Sequence, residues 1–320
     1  MGILVILLHS LVDFNLHITA NAFYFTVLLS LAVAISSNID NIDKKFIFKI
    51  VGAIIFIGFF IALFGILHKL SGSEKIYWVL DKDGEHFGPY VNYDHYAGYI
   101  GMCASLAIAS FMARVRFSSF FSIKDKRDKL MWFSSKEASQ TIRQFICAVV
   151  MVGSLFYSSS RGGILSFIIA ILLFFFFITV RTRKGRRGRL LFFFILILLL
   201  SSVIVFWLGP DYTIGKFKNL NQVARSIIHE PSILSERRPQ IWSDSVKIAK
   251  DFPVTGSGFG TFSSIFPKYR THKWGGDFLR YTHCDYLQLA LETGIIGVVF
   301  IIGFLTYFIR LYVSALRKLR

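Results

Sequence analysis

Leu190-Leu191-Phe192-Phe193-Phe194-Ile195-Leu196-Ile197-Leu198-Leu199-Leu200 runs on through Ser201-Ser202-Val203-Ile204-Val205-Phe206-Trp207-Leu208 without one charged side chain. No soluble core needs such a run, whereas a helix crossing bilayer hydrocarbon needs about 20 predominantly apolar residues. The same pattern recurs at 20–37, 46–67, 96–113, 142–158, 162–180 and 285–309, which predicts about seven transmembrane helices. The chain is 54% hydrophobic, with 35 phenylalanines. The expected fold is an all-α integral membrane protein, a polytopic helical bundle with a single membrane domain over 1–320. The apolar piece Ile3 to Leu8 is too short to span, and no basic segment precedes it as in a signal peptide. It reads as the end of a helix whose beginning is absent, so the N-terminus is expected to be incomplete; a half-inserted helix is the alternative.

Charge sets the expected orientation. Lysine and arginine concentrate in 38–49, 114–143, 181–189 and the tail from Arg310, segments that alternate along the span order. The positive-inside rule makes that side cytoplasmic. The net charge of +17 is then mostly a topology signal, and Arg181 to Arg189 reads as a flank near anionic lipid rather than a nucleic-acid contact. The segment 209–284 falls outside the membrane on the opposite face. At about 75 residues it is longer than an ordinary connection. Its aromatic residues, among them Trp242, Phe259, Phe262 and Trp274, predict a folded element. Residues 239–250 have amphipathic helical spacing, ended by Asp251-Phe252-Pro253. Gly256-Ser257-Gly258-Phe259-Gly260 lacks nucleotide-binding spacing and reads as a tight turn packed on the membrane surface. Cys103, Cys147 and Cys284 form neither a disulfide framework nor a metal motif.

Three polar phrases stand at span boundaries: Ser158-Ser159-Ser160-Arg161-Gly162-Gly163, Arg238-Pro239-Gln240-Ile241-Trp242 and Tyr281-Thr282-His283-Cys284-Asp285-Tyr286. With Val91-Asn92-Tyr93-Asp94-His95 and the 251–262 stretch, their order resembles the O-antigen ligase and polymerase superfamily from about 86 to 310. Cys284 departs from the asparagine common there. His9 to His17, at the start of this chain, is similar to a phrase found late in such proteins. The resemblance implies a metal-independent, inverting glycosyltransferase of the bacterial cytoplasmic (inner) membrane, with no cofactor. Its donor would be a glycan on a polyprenyl pyrophosphate of the undecaprenyl type. Its acceptor would be a lipid A-core sugar, another carrier-linked glycan or a protein, as in lipopolysaccharide ligation, polymerisation or protein O-glycosylation. A transporter of envelope glycans or a non-catalytic membrane protein are the readings from other classes; no clear pair of broken helices favours transport.

The resemblance makes His283 the catalytic residue, and a neutral histidine can accept a proton from an acceptor hydroxyl. It makes Arg161 and Arg238 the pyrophosphate ligands, for which the planar guanidinium fork is suited. The plainer readings are a first-turn histidine behind a Thr282–Asp285 capping box, and arginines snorkelling to the interface. Asn92, His95, Asp285 and Glu292 are candidate supporting residues. Asp285, Gln288 and Glu292 share one helical face. His9, Asp13 and His17 recur every four residues and could bind a metal; a polar surface helix is the preferred reading.

Overall fold

A backbone crossing hydrocarbon must bond to itself, and a helix does so within one segment. The computed structural model describes residues 1–10, 21, 44–73, 75–81, 86–121, 123–181, 184–207, 238–271 and 279–318. Their helices are α1 (Gly2–His9), α2 (Lys44–Leu70), α3 (Tyr93–Phe117), α4 (Lys126–Trp132), α5 (Lys136–Tyr157), α6 (Arg161–Arg181), α7 (Lys184–Trp207), α8 (Arg238–Asp251), α9 (Phe262–Tyr269) and α10 (Asp285–Lys318). No strand occurs among the described residues, and the protein is an all-α membrane protein. Four described segments are long and apolar enough to cross a membrane: Phe46–Leu70, Tyr93–Phe121, Lys136–Tyr157 and Asp285–Tyr307. Arg161–Phe176 and Leu191–Val203 are shorter apolar stretches. The expected span 20–37 lies outside the described residues apart from Asn21.

The chain divides into two compact units, one of residues 1–6 and 44–215, the other of 7–43 and 216–320. In the first unit α3 is the central helix: 78% of its apolar window is buried, against 33% for α2. Small residues let the helices approach closely, as membrane helix packing favours. A Cβ on Gly58 of α2 would lie 2.7 Å from the Cys103 Cβ of α3. Buried hydroxyls then bond across the interfaces. Tyr96 of α3 bonds Ser154 of α5, Ser154 Oγ donates to the Ala62 carbonyl of α2 at 3.3 Å, and Ser201 of α7 donates to Val149 of α5 at 3.1 Å. The outward faces carry exposed side chains such as Phe56, Leu172, Phe192 and Leu199, as expected of helices facing lipid.

The second unit packs α8, α9 and the start of α10 around Ile241, Ile248, Phe262, Phe266 and Leu291. The amphipathic helix expected over 239–250 is α8, and it ends at Asp251 ahead of Pro253. The 253–260 turn packs against a break in α10. At Gly294 the backbone turns to φ 62°, ψ −162°, which frees the helix bonds around it. The turn takes them up: Ile295 N–H donates to Pro253 O at 2.9 Å, Ser257 N–H to Leu291 O at 2.8 Å, and Gly258 N–H to Glu292 O at 3.0 Å. Gly256, at φ 71°, and Gly294 stand back to back. A Cβ on Gly256 would come 2.3 Å from the Glu292 carbonyl carbon, and one on Gly294 2.3 Å from Val254 O. Both atoms belong to backbone, so neither can swing away.

Gly256→Ala and Gly294→Ala should each destabilise the protein by at least about 1–3 kcal/mol, the cost of a non-glycine residue in a disfavoured backbone region before any clash. Gly303→Ala, whose Cβ would meet nothing within 4 Å, is the control. Thermal unfolding in detergent should show both clamp variants melting earlier and the control unchanged. Melting of either clamp variant at the wild-type temperature would contradict the contact.

Candidate functional site

His283 precedes α10 in a left-handed conformation, φ 58°, unusual for a residue with a Cβ. The preceding peptide explains how it is held. Both backbone groups of buried Thr282 are bonded by side chains from elsewhere: its carbonyl accepts the Trp242 indole N–H of α8 at 2.9 Å, and its N–H donates to Gln288 Oε1 at 3.2 Å. Its hydroxyl spans His283, accepting the Cys284 N–H at 3.2 Å and donating to the Cys284 carbonyl at 2.8 Å. The Thr282–Asp285 capping box, the plainer alternative for this phrase, does not form in this arrangement. The Thr282 N–H goes to Gln288, the hydroxyl to Cys284, and the Asp285 N–H to Ser10 O at 3.0 Å. His283 is therefore a half-buried residue of a tied turn and not a first-turn helical residue. Burial pushes the Cys284 thiol up, which keeps it protonated and a poor nucleophile.

The shared face of Asp285, Gln288 and Glu292 is buried in the structure. Gln288 Nε2 donates to Glu292 Oε1 at 3.1 Å. Glu292 also accepts the Gly260 N–H at 3.0 Å and the Phe262 N–H at 3.4 Å. Glu292 thus fastens the glycine turn and α9 to α10.

Arg238 opens α8, one turn before Trp242 on the same side of the helix, about 6 Å along the axis. Because Trp242 bonds Thr282, Arg238 and the His283 turn belong to one neighbourhood of the second unit. Arg237 lies outside the described residues. Further along α8, Asp244 is buried. It accepts from Lys247 at 2.7 Å, and from the Thr271 N–H at 2.9 Å and hydroxyl at 3.0 Å. Burial alone would raise its pKa, but the bonds from Lys247 and Thr271 outweigh burial and hold the carboxyl below its ordinary range. It ties α8 to the segment after α9.

In the first unit α5 ends at Tyr157 and α6 begins at Arg161, with almost no loop between them. Ser159 turns the chain at φ 58°. Ser160 caps α6: its hydroxyl accepts the Gly163 N–H at 3.1 Å and donates to Asp94 Oδ1 at 2.6 Å. Asn92, a candidate supporting residue, is the N-cap of α3 and accepts the Asp94 N–H at 2.7 Å. Buried Asp94, quoted in the same phrase but not singled out, is the residue bonded to the Arg161 turn. Its position two residues past a strong cap hid it among ordinary first-turn acids. His95 is buried on α3. No group of three or more potential metal ligands occurs among the described residues, and Asp13 and His17 lie outside them.

The candidates therefore divide. Asn92, His95 and Arg161 stand in the first unit, and Arg238, His283, Asp285 and Glu292 in the second. A family model described as O-Antigen ligase matches residues 146–302, a stretch that holds Arg161, Arg238 and His283. No curated protein and no solved structure matches the chain.

Ser160→Ala removes a helix cap and a partner of Asp94, and should cost roughly 0.5–2 kcal/mol of stability. Ser160→Thr, which keeps the hydroxyl, should recover part of it. Denaturation of the purified protein checks this; equal stability of the alanine variant and the parent contradicts it.

Proposed function

Residues 146–302 make the chain a member of the O-antigen ligase/polymerase superfamily, and on that premise we propose that it transfers a glycan from a polyprenyl-pyrophosphate carrier to an acceptor sugar, as a ligase does. One observation carries the site: Arg161 and Arg238 are each the first residue of a helix, and neither helix has an acidic residue in its first turn. A helix N-terminus is the positive end of the dipole, where an anion is stabilised and a cation is not. Placing arginine there adds positive charge to positive potential. Phosphate oxygens arriving there meet both the helix dipole and a guanidinium fork.

Arg161 and Arg238 bind the pyrophosphate oxygens of the donor. His283 accepts the proton of the acceptor hydroxyl as its oxygen attacks the anomeric carbon from the face opposite the pyrophosphate. The new glycosidic C–O bond forms, the sugar–phosphate C–O bond breaks, and polyprenyl pyrophosphate leaves with the bonding pair. The arginines stabilise the charge that grows on it. No metal is needed for these steps, because the guanidinium groups supply the positive charge. Polymerisation and protein glycosylation use the same donor and differ in acceptor. The site faces outward from the cytoplasmic membrane, with 209–284 on the outer side.

Purified protein in chelator, supplied with a lipid-pyrophosphate oligosaccharide and a core-sugar acceptor, should transfer the glycan. Arg161→Lys and Arg238→Lys keep the charge but lose the fork, and should reduce transfer at least about tenfold. His283→Ala should lose about 10²–10⁴-fold at matched protein levels. Near-normal transfer by both Arg161→Lys and His283→Ala would sink the mechanism.

The orientation has its own check. Cysteines placed at 209–284 should react with an impermeant thiol reagent on intact spheroplasts, while those at 181–189 should not. The opposite pattern reverses the topology.

A further inference from the structure

A left-handed residue with a Cβ costs roughly 1 kcal/mol and persists only where its surroundings impose it. At His283 the imposition comes through the Thr282 peptide, bonded by Trp242 on its carbonyl and Gln288 on its N–H. The Gln288 amide can satisfy its neighbours in one orientation alone. Thr282 N–H is a donor and needs the amide oxygen; the Glu292 carboxylate is an acceptor and needs the amide NH₂. Glu292 is itself fixed by the N–H groups of Gly260 and Phe262. A directional series therefore runs from the glycine turn through Glu292 and Gln288 to the peptide that carries His283.

We infer that Gln288, oriented by Glu292, is a positioning residue that sets the imidazole of His283 for proton acceptance; this rests on the glycan-transfer reading given above. Glu292 then contributes no acid–base chemistry. Its carboxylate faces backbone donors and Gln288, and its role is to fix which way the amide points.

The direction of the series supplies the test. Gln288→Glu sets two carboxylates against each other. Glu292→Gln leaves an amide NH₂ facing a donor whichever way it turns: the Gln288 NH₂, or, with its oxygen kept on Gln288, the Gly260 N–H that fixes the glycine turn. The double variant Gln288→Glu with Glu292→Gln restores complementarity, since a carboxylate at 288 accepts from both the Thr282 N–H and the new amide. Transfer by purified full-length variants should show kcat lowered about 10–100-fold in each single variant, the scale of a misplaced catalytic group, with KM little changed. The double variant should recover most of that loss. A residue that served folding alone would lower the amount of active protein without this reciprocal recovery. Should a single variant fail to fold, Trp242→Phe tests the same peptide from its carbonyl side, and the same fall in kcat is expected. Wild-type kcat in both single variants, no recovery in a folded double variant, or wild-type kcat in Trp242→Phe overturns the inference. With His283→Ala inactive, those results leave the glycan-transfer reading intact; a fully active His283→Ala sinks the reading itself.

Discussion

The second unit depends on a contact without side chains. Gly256 lies against the Glu292–Thr293 peptide and Gly294 against Val254, at separations that no Cβ could share. Breaking α10 inside an apolar segment frees backbone groups, and free groups in such surroundings cost several kcal/mol each. The 253–258 turn bonds to them at Leu291, Glu292 and Ile295. Break and turn therefore require each other. The consequence passes upstream along one face of α10, through the Glu292 carboxylate and the Gln288 amide to the Thr282 peptide. A residue held in the left-handed region at 283 is the end of that sequence, not a local accident of the turn.

The first unit solves a different problem. Its helices gain little from burying apolar surface in lipid, so close approach at small residues and hydroxyl bonds such as Ser154 to Ala62 hold it together. Arg161 follows a three-residue turn whose last member, Ser160, is bonded to Asp94 of α3. Arg238 likewise opens a helix in the second unit. Under the proposed glycan transfer, each of these arginines is assigned to the pyrophosphate of the donor.

Much of this was legible in the sequence, and the unread parts have a common physical cause. Apolar runs fixed by bilayer thickness marked α2, α3, α5, α6, α7 and α10. The spacing of Ile241, Trp242, Ser245 and Ile248 marked α8, and the i, i+3, i+7 spacing marked the buried face at 285–292. The break at Gly294 could not be read, because Gly297 and Gly303 stand in the same apolar run without a break. Partners distant in sequence were also hidden. Trp242 meets Thr282 across 40 positions, and Ser160 meets Asp94 across 66. Local pattern favoured Asn92 over Asp94 and offered a Thr282–Asp285 box as the plainer alternative, since a capping motif is complete in itself and a long-range bond leaves no trace in the letters around it.

The central claim is glycan transfer with direct displacement of the carrier pyrophosphate. It is tested most directly by analysing both products of one reaction with purified protein. The new glycosidic linkage should have the anomeric configuration opposite to that of the donor, with one polyprenyl pyrophosphate released for each glycan transferred. A retained configuration, or carrier released without a matching glycosidic bond, would contradict it.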